Sequence, residues 1–295
     1  MRHFCFGTFT PMYLRSALLA ASLTGALLLA ACTSEEMPFP EASMPPSAES
    51  SNVSPPTANG ITHWLPPLKA TWQIQFSGEL DLNPTVDIFF LDLFDTPAET
   101  IAALRGRGVK VVCYFSAGTY EDWRPDAASF PASTLGKGLP EWPGETWLDI
   151  RSLELLAPIM LARINLAAQK GCDGVDPDNV DGFANDSGFP LTADDQLAYN
   201  IFLANAAHQN GLAIGLKNDL QQIAELAPFF DWALNEQCFY YDECDLLLPF
   251  VNAGKPVFII EYELSPGEFC AQANEMNFNA IHKNLELDAY VTACR

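Results

Sequence analysis

The feature that most constrains the fold is an alternation of short, β-rich apolar runs with helical patterns along residues 61–295. Repeated strand–helix alternation predicts parallel strands joined by right-handed crossovers. At this length, the expected fold is an α/β protein of the (β/α)8 TIM-barrel type. The eight strands are predicted at residues 71–76, 86–93, 109–115, 172–178, 212–218, 230–236, 256–262 and 278–283, and the clearest helices at residues 96–107, 152–170 and 193–209.

An open, doubly wound sheet is the alternative architecture. That fold would carry a glycine-rich phosphate-binding turn after its first strand, and the sequence has none there. Residues 118–149 are long for a connection between a strand and a helix, and they are rich in Trp, Pro and Gly. Because long insertions at this face of a barrel commonly build the site, we expect this segment to do so here.

The N-terminal residues are typical of an export signal. Arg2 and Arg15 precede an apolar run at residues 17–31, which is too short to span a bilayer comfortably. The run ends in the letters LAAC, which resemble a bacterial lipobox, in which the cysteine is acylated and becomes the mature N-terminus. We therefore expect a lipoprotein signal peptide at residues 1–31 and lipidation at Cys32. The alternative is an ordinary signal peptide that is cut elsewhere.

A flexible tether is predicted to follow the signal. Residues 32–60 are dominated by Pro and Ser and show no apolar period. Residues 61–295 would then form one monomeric domain whose only membrane contact is the N-terminal lipid. Because Thr33, and not Asp, follows the cysteine, the sorting signal favours the bacterial outer membrane.

The charge of the chain limits its partners. There are 15 Lys and Arg against 37 Asp and Glu, a formal net charge of −22. Such a chain repels phosphate backbones, so we expect no nucleic-acid partner. A cationic substrate would instead be attracted. The alternative is that the acidity serves solubility alone.

Polar side chains gather where the predicted strands end. The C-terminal ends of parallel strands meet at one face of a barrel, and that face carries the active site. Four of the eight strands end in carboxylates, although strand ends are also polar simply because the chain leaves the core there. The residues in these positions are Asp92, Tyr114, Ser116, Asp176, Asp178, Asn179, Lys217, Asn218, Glu236, Glu261, Tyr262 and Lys283.

Several chemistries do not fit the motifs. The acidic run at residues 173–182 fails as a calcium loop, because the fifth position counted from Asp176 is Val180 and the twelfth is Ser187. Zinc binding is poorly supported, because the sequence has no CxxC and its spacing pairs none of the four histidines (His3, His63, His208 and His282). A Ser-His-Asp site is not supported either, because the sequence has no G-x-S-x-G elbow. A pyridoxal enzyme could use Lys217 to hold its cofactor, but nothing else in the sequence supports that function. We therefore expect no metal and no cofactor.

What remains is chemistry by two carboxylates. Glycoside hydrolysis needs one carboxylic acid to protonate the leaving oxygen and one carboxylate to attack or to activate water. Asp178 ends the fourth predicted strand and Glu236 the sixth, so the two can face each other across the barrel mouth. Aromatic residues suited to sugar stacking are frequent, although packing is the default role of each: Trp64, Trp72, Tyr114, Trp123, Trp142, Trp147 and Tyr262.

Several segments resemble glycoside hydrolase family 114, the endo-α-1,4-polygalactosaminidases. They read VKVVCYFSAGTYEDWRPD, WPGETWLDIR, KGCDGVDPDNVDGF, GLAIGLKND, NEQC and EY. The resemblance spans nearly all of residues 61–295, and the DPDNVDG run together with NEQC is its most specific part. It implies a (β/α)8 barrel that cleaves α-1,4 galactosamine linkages, endo-acting and with retention. In this family pattern Asp178 matches the nucleophile and Glu236 the acid/base.

The implied partner is a cationic, galactosamine-containing polysaccharide. Its amines would be attracted by an acidic body, and Asp92, Asp176, Asp181 and Glu261 are candidates for the local counter-charge. The alternatives are a non-catalytic sugar-binding lipoprotein on the same barrel and a hydrolase of a neutral α-glycan. The full set of expected substrate-binding residues is Asp92, Tyr114, Asp176, Asn179, Asp181, Lys217, Asn218, Glu261 and Tyr262.

An exported protein with six further cysteines is expected to form disulfides. Cys238 and Cys244 would close a short loop just after the NEQC motif, and Cys270 with Cys294 would fasten the C-terminus. Cys113 and Cys172 fall on neighbouring predicted strands, but the alternation of side chains puts them on opposite faces. A third bridge therefore stays open.

Overall fold

The computed structural model describes residues 62–83 and 85–295. The predicted signal peptide, Cys32 and the tether lie outside the described residues. Within the described part, twelve strands are numbered in chain order: β1 (Trp72–Gln75), β2 (Ile88–Asp92), β3 (Lys110–Ser116), β4 (Thr119–Glu121), β5 (Leu135–Gly138), β6 (Glu145–Leu148), β7 (Gly174–Asp178), β8 (Ala213–Lys217), β9 (Trp232–Glu236), β10 (Val257–Glu261), β11 (Asn279–His282) and β12 (Thr292–Ala293).

Eight of the described strands form a parallel barrel sheet. They follow the order β1-β2-β3-β7-β8-β9-β10-β11, each parallel to the next, and β12 adds antiparallel to β11. Side chains bridge the seam between β1 and β11. The amide of Ala70 donates to Asn279 Oδ1 at 3.1 Å, and Trp72 Nε1 donates to the Asn279 carbonyl at 2.9 Å. The predicted α/β TIM-barrel fold and all eight predicted strands are confirmed.

Helices cover the outside of the sheet. In the described residues they are α1 (Ala98–Gly106), α2 (Leu153–Lys170), α3 (Ala193–Gln209), α4 (Ile223–Leu226), α5 (Leu248–Asn252) and α6 (Pro266–Glu275). α3 begins where the sequence predicts, because Thr192 and Asp195 form a reciprocal capping box. None of the described helices is long and apolar enough to cross a membrane.

Alternating residues of each strand serve two separate apolar layers. One layer fills the barrel interior and includes Trp72, Phe90, Trp232 and Phe258, whereas the other packs between the strands and the helices. The interior is tight: a Cβ atom on Gly215 would lie 2.1 Å from Nε1 of the Trp232 indole. Side chains alternate along a strand, so every second residue points into the barrel. On each strand these inward residues are apolar at the bottom of the barrel, and the last of them point into its mouth.

The insertion at residues 118–149 folds into a small sheet. β4, β6 and β5 form a three-stranded antiparallel arrangement in that order. The insertion follows β3, and its first strand begins three residues after that strand ends. It therefore stands beside the C-terminal ends of the barrel strands, as the sequence predicts.

Three disulfides occur in the described part of the chain. Cys238–Cys244 and Cys270–Cys294 are bonded as predicted. Cys113 and Cys172 are bonded too, with their Cα atoms 6.0 Å apart, so the argument from side-chain alternation was wrong for this pair. The reason is that β7 begins only at Gly174. Cys172 precedes the regular strand, and its side chain joins Cys113 in the layer between strands and helices.

Candidate functional site

A cleft opens at the C-terminal ends of the barrel strands, where the inward side chains reach the surface. Its cavity volume is about 380 Å³. Strand ends, the insertion and the chain after β11 all contribute to its walls. The lining residues are Phe76, Ser77, Asp92, Asp95, Tyr114, Glu121, Trp123, Arg124, Trp142, Glu145, Asp178, Asn179, Lys217, Asn218, Glu236, Tyr262, Leu285, Glu286 and Leu287.

The centre of the cleft is one buried ammonium group shared by two carboxylates. Lys217 Nζ lies 3.1 Å from Asp178 Oδ1 and 3.2 Å from Glu236 Oε2. The lysine is almost wholly buried, while both carboxylates are partly exposed to the cleft. Since these two oxygens touch the same nitrogen atom, they are at most about 6 Å apart, within the range of a carboxylate pair that acts on one sugar.

The backbone turns in the same way after each of these three residues. Asn179, Asn218 and Gln237 have φ values of 59°, 51° and 66°, the left-handed region that non-glycine residues rarely adopt. Such strain clusters at functional sites, where the surrounding structure enforces it. A glycine is required opposite the first of these turns, because a Cβ atom on Gly118 would lie 1.6 Å from the carbonyl oxygen of Asn179.

Glu236 is oriented through both of its carboxyl oxygens. The hydroxyl of Tyr262 donates to Oε1 at 2.5 Å, and Asn218 Nδ2 donates to Oε2 at 3.3 Å. Burial and the neighbouring Glu236 charge raise the pKa of Tyr262 well above its usual value. Tyr262 therefore keeps its proton at neutral pH and stays a donor to Glu236.

Asp178 also receives several donors. Its own neighbour contributes first, because the amide of Asn179 donates to Oδ1 at 2.8 Å. Tyr114 lies half-buried in the cleft wall close to Asp178, and desolvation together with the Asp178 charge raises the pKa of Tyr114. Together with the Lys217 ammonium, these groups hold the Asp178 carboxylate in place at the floor of the cleft.

Asp176 lies beneath the pair, fully buried. Neither of its carboxyl oxygens has a hydrogen-bond partner among the residues that the structure describes. Burial raises the pKa of Asp176 to about 7, opposed by Lys217 and reinforced by Asp178 and Glu236. The Asp176 carboxyl group is therefore largely protonated below neutral pH. The Lys217 ammonium then balances only the charge of the two carboxylates above it.

Lys217 stays charged in this setting. Burial by itself lowers the pKa of its ammonium. The three surrounding carboxylates, Asp178 first and then Glu236 and Asp176, outweigh burial and raise the pKa above its usual value.

The insertion contributes charged groups that the sequence analysis did not single out. Arg124 holds Asp92 with two contacts, NH2 to Oδ2 at 2.7 Å and NH1 to Oδ1 at 3.0 Å, and its Nε donates to Glu121 Oε1 at 2.9 Å. Glu145 accepts a hydrogen bond from Thr119 at 2.8 Å, and burial raises its pKa to about 7. Glu121 and Arg124 fall in the segment VKVVCYFSAGTYEDWRPD and Glu145 in WPGETWLDIR, but the resemblance of these segments assigned the three residues no role.

The cleft is strongly acidic. Among the described residues that line it, only Arg124 and Lys217 are basic, and seven are carboxylates: Asp92, Asp95, Glu121, Asp178, Glu145, Glu236 and Glu286. Confined, low-dielectric walls concentrate the field of such a set. The arrangement therefore favours a cationic ligand over a neutral or an acidic one.

Most of the expected site residues lie together in the cleft. They are Asp92, Tyr114, Asp178, Asn179, Lys217, Asn218, Glu236 and Tyr262. Asp176, Asp181 and Glu261 fall outside the lining that the described residues form. Asp181 lies in the turn after β7, where burial and then Asp178 raise its pKa to about 6.

Glu261 does not face the cleft, for a simple geometric reason. It shares the outward side of β10 with Val257 and Ile259, whereas Tyr262 follows on the inward side. Its Oε1 accepts the amide of Phe239 at 2.8 Å. Glu261 thus holds the loop after Glu236, the same loop that the Cys238–Cys244 disulfide closes.

Two histidines meet outside the cleft. Sequence spacing did not pair His63 with His208, which are 145 positions apart, but the structure stacks their rings with centroids 4.3 Å apart. Both Nε2 atoms contact the carboxylate of Asp231. Because the rings face each other, no single ion can lie in both ring planes, so these three residues do not fit a bound metal ion.

Comparisons with known proteins point to one family. The model of glycoside-hydrolase family GH114 matches residues 53–295. Ega3 of Aspergillus fumigatus, solved in complex with galactosamine, is 44% identical over 79% of this chain and 98% of that chain, with a TM-score of 0.75. The glycoside hydrolase domain of PelA from Pseudomonas aeruginosa shares the fold, with 16% identity over 76% of this chain and 98% of that chain and a TM-score of 0.60. A search of curated protein sequences returned no match.

The buried carboxyl of Asp176 predicts a pH dependence of stability. Because burial raises its pKa in the folded state to about 7, its contribution is fully present below pH 4 and is lost as the pH rises through 7. Urea unfolding at several pH values should show that the free energy of unfolding of Asp176→Asn rises relative to that of the wild type as the pH increases. The expected difference is up to about 1.4 kcal/mol per pH unit between pH 5 and pH 7. Glu275→Gln, at the exposed end of α6, is the control. Parallel curves for Asp176→Asn and wild type would contradict the assignment.

Proposed function

Because the chain belongs to glycoside-hydrolase family GH114 and is a glycosidase, we propose that it cleaves α-1,4-linked galactosamine polymers with retention, using Asp178 and Glu236. The observation that carries the proposal is the pair itself: two partly exposed carboxylates at the cleft floor share the Lys217 ammonium. A barrel that only bound sugar would have no need of this pair.

In the proposed first step, Asp178 attacks the anomeric carbon and Glu236 protonates the leaving oxygen. A retaining enzyme holds its two carboxyl groups about 5–5.5 Å apart, whereas an inverting enzyme leaves about 6.5–9.5 Å for a water molecule. The shared ammonium limits the two nearest oxygens to about 6 Å, which supports retention. In the second step Glu236, now ionised, takes a proton from water as the ester to Asp178 is hydrolysed.

Lys217 fits this sequence because the pair carries one negative charge throughout. Before attack the charge lies on Asp178; after it, Asp178 is an ester and the charge lies on Glu236. An ammonium that touches both residues stabilises either state without moving. The hydroxyl of Tyr262 donates a hydrogen bond to Glu236 as negative charge develops on that carboxylate.

The substrate class rests on charge and on the similar structure. Seven carboxylates against two cations line the cleft, an environment that attracts the amines of a galactosamine chain. Ega3, 44% identical, was solved with galactosamine bound. Trp123 and Trp142 line the cleft and are about half exposed, so they offer faces on which sugar rings can stack.

The roles of the two carboxylates can be separated by substitution. Asp178→Asn and Glu236→Gln keep the shapes of the side chains, and each should lower turnover of the polymer by at least about 10²–10⁴-fold. An aryl glycoside with a good leaving group needs little protonation, so it should restore the first step in Glu236→Gln and not in Asp178→Asn. Turnover of both substrates by both folded variants is the measurement.

The control for this comparison is Glu275→Gln, which neutralises an exposed carboxylate on the outside of the barrel. Its kinetics should equal those of the wild type on both substrates. Near-normal polymer turnover by folded Asp178→Asn would remove this residue from the mechanism. Equal rescue of both variants by the aryl glycoside would show that the assigned roles are wrong.

A second prediction concerns the charge of the substrate. Electrostatic attraction is screened within about 8–10 Å at physiological ionic strength. We therefore expect kcat/KM on the amine-bearing polymer to fall as salt rises, while a neutral aryl glycoside shows little change. N-acetylation removes the amine charges and should lower kcat/KM at low salt. Equal activity on acetylated and deacetylated chains, independent of salt, would exclude charge as the basis of selection.

We further propose that the hydrolase domain, residues 61–295, is held at the bacterial outer membrane by a lipid on Cys32 and the tether at residues 32–60. The motif that ends in Cys32 supports this proposal. Cys32→Ser should abolish incorporation of labelled palmitate and release the protein from the membrane fraction, whereas Cys5→Ser, within the predicted signal, should leave both unchanged. Labelling that persists in Cys32→Ser would contradict lipidation at this residue.

A further inference from the structure

The turn after β7 is held by a chain of hydrogen bonds beside the proposed nucleophile. Asn179 Nδ2 donates to Ser116 Oγ and to Thr119 Oγ1, each at 3.1 Å. The hydroxyls of Ser116 and Thr119 are hydrogen-bonded to each other, and the Thr119 hydroxyl donates to Glu145 Oε2 at 2.8 Å. The two ends of this chain, Asn179 and Glu145, line the cleft, whereas the two hydroxyl-bearing residues are fully buried.

The hydroxyl protons give the chain of bonds a single direction. An ionised carboxylate only accepts hydrogen bonds, so the one hydroxyl proton of Thr119 is committed to Glu145. The hydroxyl proton of Ser116 is then committed to Thr119 Oγ1, which leaves neither hydroxyl a proton for Asn179. The amide of Asn179 must therefore turn its NH2 group toward both hydroxyls, and it cannot flip without losing both hydrogen bonds.

This orientation leaves the carbonyl oxygen of the Asn179 side chain as an unused acceptor. None of the described residues donates to Asn179 Oδ1, which lies on the other branch of the amide from the buried hydroxyls. The backbone amide of Asn179 donates to Asp178 Oδ1 at 2.8 Å, so the side chain stands directly beside the proposed nucleophile. Since Asn179 lines the cleft, this acceptor is available to a bound sugar.

We propose that Asn179 Oδ1 accepts a hydrogen bond from the 2-amine of the sugar that Asp178 attacks, an inference that rests on the proposed function. The anomeric carbon is bonded to two ring atoms, C2 and the ring oxygen. The ring oxygen carries no proton, so only the substituent on C2 can donate to an acceptor beside the nucleophile. Ser116 and Thr119 are positioning residues, because they act on the sugar only through Asn179.

The contact should act on the transition state more than on substrate binding. Positive charge develops at the anomeric carbon during cleavage, and hydrogen bonds to the substituent on C2 strengthen at that stage. The amide dipole of Asn179 is already oriented, so it needs no rearrangement as that charge develops. Loss of the contact should therefore lower kcat more than it raises KM, and only for substrates that carry a donor on C2.

The test uses two aryl glycosides of a galactosamine trisaccharide that differ only at C2 of the sugar next to the aryl group. One carries the 2-amine there and the other is 2-deoxy. The ratio of their kcat/KM values is the amine preference. Asn179→Gly removes the side chain and accepts the left-handed turn without strain, and it should lower the amine preference about 10–100-fold. Measurement at pH 8 keeps Glu145 ionised, since burial raises its pKa to about 7.

Thr119→Val tests the positioning from outside the cleft lining. It keeps the shape of the side chain and removes the hydroxyl, so the Asn179 amide loses one partner and can turn over. The amine preference should fall about 3–10-fold. Thr119→Ser restores the hydroxyl and should restore the preference. Asn252→Ala removes an exposed amide at the end of α5 and should keep the wild-type preference.

The possible failures are distinguishable. Equal losses on both glycosides would overturn the inference and leave the proposed function intact. So would an unchanged amine preference in folded Asn179→Gly or, should that variant not fold, in Thr119→Val. If the wild type releases the aryl group from neither glycoside, the proposed function is contradicted and the inference falls with it.

Discussion

A single ammonium group, buried between two carboxylates, is the interaction on which the rest of the site depends. Lys217 touches both Asp178 and Glu236, so it sets their separation and offsets the charge that they share. Removing a charge from a buried group of this kind leaves its partners uncompensated, which is costly. Burial of Asp176 below the pair raises the pKa of that carboxyl to about 7, so below neutral pH it adds little negative charge to the cluster.

The barrel and the insertion make separate contributions to function. The inward side chains of β7, β8 and β9 supply the proposed catalytic pair and its lysine. The insertion adds Glu121, Arg124 and Glu145 to the cleft wall, and Arg124 ties Glu121 to Asp92 at the end of β2, so that these charges tolerate burial. Five of the seven carboxylates that line the cleft lie outside the insertion, so the acidity of the cleft depends mainly on the barrel strands and the chain that follows them.

The sequence predicted the fold well, because strand–helix alternation is a long-range pattern with a strong local signal. It also placed Asp178, Lys217 and Glu236 correctly at neighbouring strand ends. The sequence was misleading where a conclusion depended on the residue at which a strand begins or on the face of the strand that a side chain occupies. Cys172 lies before the regular strand and pairs with Cys113, and Glu261 faces outward and holds a loop.

Contacts between distant segments were beyond the reach of the sequence. Glu121 and Glu145 enter the cleft only because the insertion folds into its own sheet, and no local motif indicates that sheet. His63 and His208 meet because the segment before β1 passes the end of α3. Spacing along the chain carries no information about either event.

The most direct test of the central claim is to trap the sugar on the enzyme. A fluorinated galactosaminyl fluoride that slows release should accumulate as a covalent adduct, and mass spectrometry of the digested protein should locate it. The account predicts one sugar on the peptide that contains Asp178, and none in Asp178→Asn. An adduct on any other carboxylate, or products of inverted configuration with no adduct, would contradict it.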